Sequence, residues 1–137
     1  MADTTRRIDY FYTTVPDLPG EGHRLLKSLQ EAGVSLLAFS AFPISGGKAQ
    51  IDFVPSDSDR FLTAARQAGI ALSDRKRCFL IDGADRPGAV AEIVGRLSEA
   101  QINVTALDAV CGGAGRFGAI LWVKPSAFEA AASALGA

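Results

Sequence analysis

Apolar Ile8, Tyr10 and Tyr12 are spaced by Asp9 and Phe11, a two-residue period that predicts a strand ending in the turn-rich stretch 15–22. The period then lengthens. Leu25, Leu26, Leu29 and Ala32 form one helical stripe, Arg24, Lys27, Gln30 and Glu31 form the wet face, and Gly33 stands where a left-handed C-terminal cap belongs. Residues 34–42 are a continuous apolar run too short for a second helix. They end at Pro43 before Ser45-Gly46-Gly47-Lys48, which is hairpin chemistry, and residues 49–54 are the returning strand. Residues 56–59 offer N-caps for a helix striped by Phe61, Leu62, Ala65 and Ala68 and closed by Gly69, after which residues 70–72 open a fourth strand.

The same succession then returns. Val15-Pro16-Asp17-Leu18-Pro19-Gly20 reappears as Gly83-Ala84-Asp85-Arg86-Pro87-Gly88, and 87 − 19, 88 − 20, 97 − 29 and 100 − 32 all equal 68. Matching Ile51 to Ile120 suggests an offset of 69 beyond the turns, and matching Phe61 to Phe128 suggests 67, with the slips falling in loops. In the second copy residues 78–82 read as a strand, Val90, Ile93, Val94 and Leu97 as a helix stripe, residues 102–110 and 117–123 as a hairpin, and Phe128, Ala131, Ala132 and Leu135 as the last helix. The predicted fold class is α+β: two ferredoxin-like βαββαβ units in tandem, residues 1–74 and 75–137, each an antiparallel sheet with its helices on one face. Only Gly136 and Ala137 follow Leu135, so the second unit lacks its fourth strand. An open sheet edge attracts another strand, and the expected cover is residues 70–77, the N-terminus or another subunit.

Composition narrows the function classes. The 137 residues are 48% hydrophobic and 21% charged, enough apolar material for a buried core. No apolar run approaches the roughly 20 residues of a membrane span, and the start Met-Ala-Asp-Thr-Thr-Arg-Arg lacks a signal's apolar segment, so a cytoplasmic address and no membrane partner are expected. A net charge of −1 supplies no excess field for a polyanion, which argues against nucleic acid. Cys78, Cys111 and the sole histidine, His23, have no metal-site spacing, and no metal or cofactor is expected.

Gly113-Ala114-Gly115-Arg116-Phe117-Gly118 spells a dinucleotide fingerprint, but a strand follows where a helix start is needed, so it reads as a hairpin turn. Arg75-Lys76-Arg77 reads as a solvated linker, His23 as facing water, and Trp122 as sheet-face core or interface. With no nucleophile beside a base and no paired carboxylates in a cleft, the chain reads as a non-enzyme.

Asp85-Arg86-Pro87-Gly88, followed at fixed spacing by Val90, Ile93, Leu97, Ala100 and Ile102-Asn103-Val104, resembles the ACT domain family of amino-acid-sensing regulatory modules. The first copy, with Asp17-Leu18-Pro19-Gly20 and Val34-Ser35-Leu36, matches that pattern less closely. The resemblance implies paired units that bind an amino acid or related metabolite between the Pro-Gly loop and the start of the second strand, in a homo-oligomer, expected to be a dimer. Carried onto this sequence, the ligand-binding residues are Asp85, Arg86, Pro87, Gly88, Ala89 and Asn103, with Asp17, Leu18, Gly20 and Ser35 as the lesser set. The chemistry is suitable: glycine lets a ligand approach the backbone, the first N–H groups of a helix suit a carboxylate, and Asp85 and Asn103 offer acceptors to an ammonium. Each position also has an architectural reading, with Pro87 and Gly88 turning the chain, Asp85 answering the helix dipole and Asn103 satisfying backbone groups. The competing function class is a scaffold that has lost its ligand and only dimerises or docks on an enzyme or regulator.

Overall fold

The computed structural model describes residues 3–137. Its regular elements follow in the order β1 (Thr4–Pro16), α1 (Glu21–Glu31), β2 (Leu36–Ile44), β3 (Lys48–Pro55), α2 (Ser58–Gln67), β4 (Lys76–Ala84), α3 (Ala89–Glu99), β5 (Ala106–Gly113), β6 (Arg116–Trp122) and α4 (Phe128–Leu135). The chain divides into two compact units, one formed by Asp9–Lys76 and the other by the chain up to Ile8 together with Arg77–Ala137.

In the unit Asp9–Lys76, β3 lies between β2 and β1, both antiparallel to it, with Phe39 and Phe11 each level with Phe53. Successive strand residues face opposite ways, so Phe11, Ile51 and Phe53 project on the face that receives Leu25, Leu29, Phe61 and Ala64. Phe61 sits with its ring centroid 5.3 Å from both Phe11 and Phe53, and all three side chains are fully buried. Burying each such ring is worth roughly 1.5–3 kcal/mol relative to leaving it exposed. The capping expected at residues 56–59 falls to Asp57, whose carboxylate accepts from the Arg60 N–H at 3.1 Å.

In the other unit, β6 lies between β4 and β5, with Phe79 and Leu107 each level with Leu121. These are the first unit's pairings advanced by 68, since 79 − 11, 107 − 39 and 121 − 53 agree. Phe79 stacks on Phe128 at 4.5 Å and 8° over a core that includes Ile93 and Leu97. The expected offset of 69 at Ile51 and Ile120 is overturned: Thr13 is level with Ile51 and Ile81 with Ala119, so 68 holds through the hairpin. A one-residue slip would flip every side chain to the opposite face. Ile51 belongs to the core cluster of its unit, while Ile120 stands outside the corresponding cluster and Ala119 within it. The shortening to 67 is real and falls after β6, where Gly136 and Gly69 close the last helices in the same left-handed turn.

Four further expectations change. Residues 70–72 do not enter a strand ladder. Instead Ser73 donates its N–H to Tyr12 O at 2.8 Å, Thr13 Oγ1 donates to Ala71 O at 2.6 Å, and Ile70 and Leu72 pack on the core. Residues 102–105 precede β5 rather than opening it, and Pro43 lies inside β2, an edge strand with no further neighbour to require its missing N–H. Arg75-Lys76-Arg77 is no solvated linker: Lys76 and Arg77 begin β4, and the Arg77 guanidinium lies 4.0 Å from the centroid of Phe128.

The edge of β4 left open in the sequence reading is covered by the N-terminal segment, one of the three expected covers. Asp3 Oδ1 accepts the Ala84 N–H at 3.1 Å at one end of β4, while near the other Arg7 and Arg77 share Glu129 at 2.7 and 3.5 Å. Residues 3–7 therefore run against the direction of β4. Arg7 also donates to Ala137 O at 3.3 Å, fastening this segment to the chain's C-terminus.

Candidate functional site

Asp85, Arg86, Pro87, Gly88 and Ala89 form the passage from β4 into α3. Gly88, at φ 83° and ψ 3°, caps the helix in the left-handed region, and no side chain caps the helix in its place. A side chain in that conformation costs roughly 1–2 kcal/mol, and a Cβ there would point into open space, so glycine is required by backbone geometry and not by crowding. The Asp85 N–H donates to Gly115 O at 2.9 Å, tying the loop to the β5–β6 hairpin. The loop at Asp17 repeats the arrangement: Asp17 N–H to Gly47 O at 2.9 Å, Gly20 at φ 92° and an α1 terminus without a side-chain cap.

The side chains of the passage diverge. Asp85 hydrogen-bonds the exposed Cys111 of β5, and that bond, with smaller contributions from desolvation and the carboxylate's charge, pushes the Cys111 thiol above its ordinary pKa. Arg86 turns to Glu92, forming an ion pair that, by hydrogen bond and then by charge, raises the guanidinium pKa. Ala89 offers a ligand little: its methyl group is in the core and its N–H is donated to Arg86 O at 3.2 Å.

Asn103 is not beside these residues in its own unit. Ala84 is level with Arg116 and Ala106 with Trp122, and 122 − 116 is six residues, or roughly 20 Å of strand. Asp85 and Asn103 therefore occupy opposite ends of the sheet. The first unit separates Asp17 from Ser35 likewise, and the Ser35 carbonyl accepts from the Ser56 N–H and hydroxyl at 3.0 and 3.1 Å. Leu18 is 64% exposed at the loop tip. Sequence reasoning missed Cys111 as the partner of Asp85. The signal was the hairpin register, which brings the end of β5 level with the end of β4 across β6.

Among the described residues no helix is long and apolar enough to cross a membrane, and no three His, Cys, Asp or Glu side chains gather as a metal site.

No family model and no curated protein matches the sequence. Solved structures do match in fold. Protein BT0572 from Bacteroides thetaiotaomicron superposes with TM-score 0.83 at 14% identity, covering 96% of this chain and 88% of that one. The regulatory subunit of aspartate kinase from Thermus thermophilus gives 0.66 at 15% identity over 99% and 95%. The equivalent subunit from Thermus flavus gives 0.64 at 16% over 99% and 95%. The fold is ACT-like. At these identities the likeness is one of architecture. It agrees with the α+β class, the antiparallel strands and the βαββ succession expected from sequence.

Proposed function

We propose that this chain is a tandem of ACT-like units, residues 1–74 and 75–137, acting as a cytoplasmic regulatory protein without catalytic activity. It binds an amino acid or related metabolite where two copies of the chain meet. The observation that carries the reading is the uncapped α3 terminus at Gly88 with Asp85 on its flank. Unpaired N–H groups there suit a carboxylate, and the Asp85 carboxylate suits an ammonium.

The separation of Asp85 from Asn103 fixes how such a site is assembled. Among the described residues β5 pairs with β6 alone, and Val110 on it is 71% exposed, so its outer edge is open to a second copy. Antiparallel pairing of two β5 edges sets the start of one strand beside the end of the other. That juxtaposition brings Asn103 of the partner subunit toward Asp85 and Gly88, and twofold symmetry yields two sites per dimer. Asp17, Leu18, Gly20 and Ser35 stand in the same relation around β2, whose edge carries the exposed Leu37, Phe39, Phe42 and Ile44.

The test is subunit complementation. Asp85→Ala and Asn103→Ala homodimers, titrated calorimetrically with the twenty amino acids at millimolar concentration, lose the part of the response that depends on dimerisation. Mixed dimers, each with one intact site, regain half of its stoichiometry. An unaltered dimer that ignores the whole panel refutes ligand sensing and favours the scaffold reading. A response identical in monomer and dimer refutes the shared site.

A further inference from the structure

On the helix side of the second unit, a cleft of about 590 Å³ opens between the N-terminal segment, α3 and the end of α4. That volume lies within the roughly 300–1,000 Å³ of small-molecule sites. Its floor includes the buried Ile81 and Ile93, and its rim carries Asp3, Arg86, Glu92 and Arg96. The rim charges are unevenly used. Glu92 and Arg96 stand four residues apart on one face of α3, the spacing and order that favour an ion pair. Glu92 instead engages Arg86, and among the described residues no ion pair or hydrogen bond holds the exposed Arg96 guanidinium. Asp3, on the facing wall, keeps its carboxylate in place through the Ala84 N–H.

We propose that this cleft is a second binding site, for a small α-amino acid or similar zwitterion, with Arg96 taking the carboxylate and Asp3 with Glu92 taking the ammonium. A guanidinium grips a carboxylate in bidentate fashion, and the opposed acidic side chains penalise a bare anion, which sets the charge class. The site is complete within one chain and stands independently of the Asp85 reading. One wall is the N-terminal segment itself, so occupancy strengthens that segment's hold on β4 by mass action.

The experiment follows the Nε–Hε NMR signals of Arg96 and Arg86 in the full chain, assigned with Arg96→Gln and Arg86→Gln. The probes are glycine, L-serine and L-aspartate, with acetate and methylamine as half-zwitterion controls. Saturable shifts at both arginines are expected at millimolar amino acid, with each control at least roughly tenfold weaker. Arg96→Gln, an exposed change that leaves the melting curve in place, abolishes the Arg86 shift, while Asp85→Ala preserves both. Unmoved signals with all three amino acids overturn the proposal, as do acetate shifts equal to those of glycine. Loss of the shifts in Asp85→Ala overturns it too, by assigning the response to the loop.

Discussion

Replacing Gln101 by glycine should stabilise the protein by about 1 kcal/mol. All four helices among the described residues end in the same turn, in which a left-handed residue donates to a carbonyl three back and its successor to one five back. After α1 these are Gly33 N–H to Gln30 O at 3.0 Å and Val34 N–H to Leu29 O at 2.9 Å. After α3, at offset 68, Gln101 donates to Ser98 O at 3.0 Å and Ile102 to Leu97 O at 2.9 Å. The turn needs a left-handed residue, and Gly33 supplies φ 72° without strain, whereas Gln101 is held at φ 61° with its Cβ against the following carbonyl. Relief of roughly 1–2 kcal/mol of steric cost, less the larger entropy glycine loses on folding, leaves about 1 kcal/mol. In urea this moves the unfolding midpoint up by about 0.5 M at unchanged slope, read by circular dichroism. Gly33→Ala is the reciprocal control. Its new Cβ would meet only Arg60 Nη1 at 3.7 Å, an ordinary contact, so the expected loss of about 1 kcal/mol is purely conformational. A Gln101→Gly midpoint at or below that of the unaltered chain, with an unchanged slope, refutes the reasoning.

Gly83→Ala should loosen the N-terminal segment, because a Cβ there would collide with the Asp3 carboxylate and lie 2.6 Å from Phe117 Cε1. Faster amide exchange across residues 4–8 checks this, and unchanged exchange contradicts it. Cys111 should alkylate slowly at pH 8 for an exposed thiol, since Asp85 holds it protonated. Asp85→Asn should speed the reaction and move its pH midpoint down. The raised thiol pKa also means that this contact's contribution to stability is present below the unfolded-state pKa and fades as pH rises through the folded one. An alkylation midpoint unchanged by Asp85→Asn contradicts the hydrogen bond.

Periodicity and turn chemistry made most of the fold legible, because each helix stripe ends in a glycine or its positional equivalent and each hairpin turns on glycine. What failed was pairwise identity: Ile51 and Ile120 match as letters, yet they occupy opposite faces of equivalent strands. Residues 70–72 have strand-like composition but reach β1 through Ser73 and Thr13 instead of a ladder, an outcome set by tertiary position. The Pro-Gly loop was legible because backbone conformation at Gly88 demands its residue type. The separation of Asp85 and Asn103 was not, because strand length and register turn eighteen positions of sequence into roughly 20 Å of sheet. The cleft was equally hidden, since Asp3 and Arg96 converge only when the first described residues lie along β4.

The two proposed sites would obey different mass action. A ligand held by Asp85 of one copy and Asn103 of the partner subunit binds only the dimer, so its apparent affinity rises with protein concentration until dimerisation saturates. A ligand held by Asp3, Glu92 and Arg96 draws on a single chain, and its affinity is indifferent to concentration. The two sites also share a lever, since Asp85 and Arg86 are adjacent and each is fixed by a different partner, Cys111 on one side and Glu92 on the other. A ligand whose ammonium draws Glu92 toward Asp3, while Arg96 takes its carboxylate, releases Arg86 from Glu92. Filling the cleft therefore rearranges the residue next to the dimer loop, giving a short physical route by which occupancy within one chain alters affinity between chains.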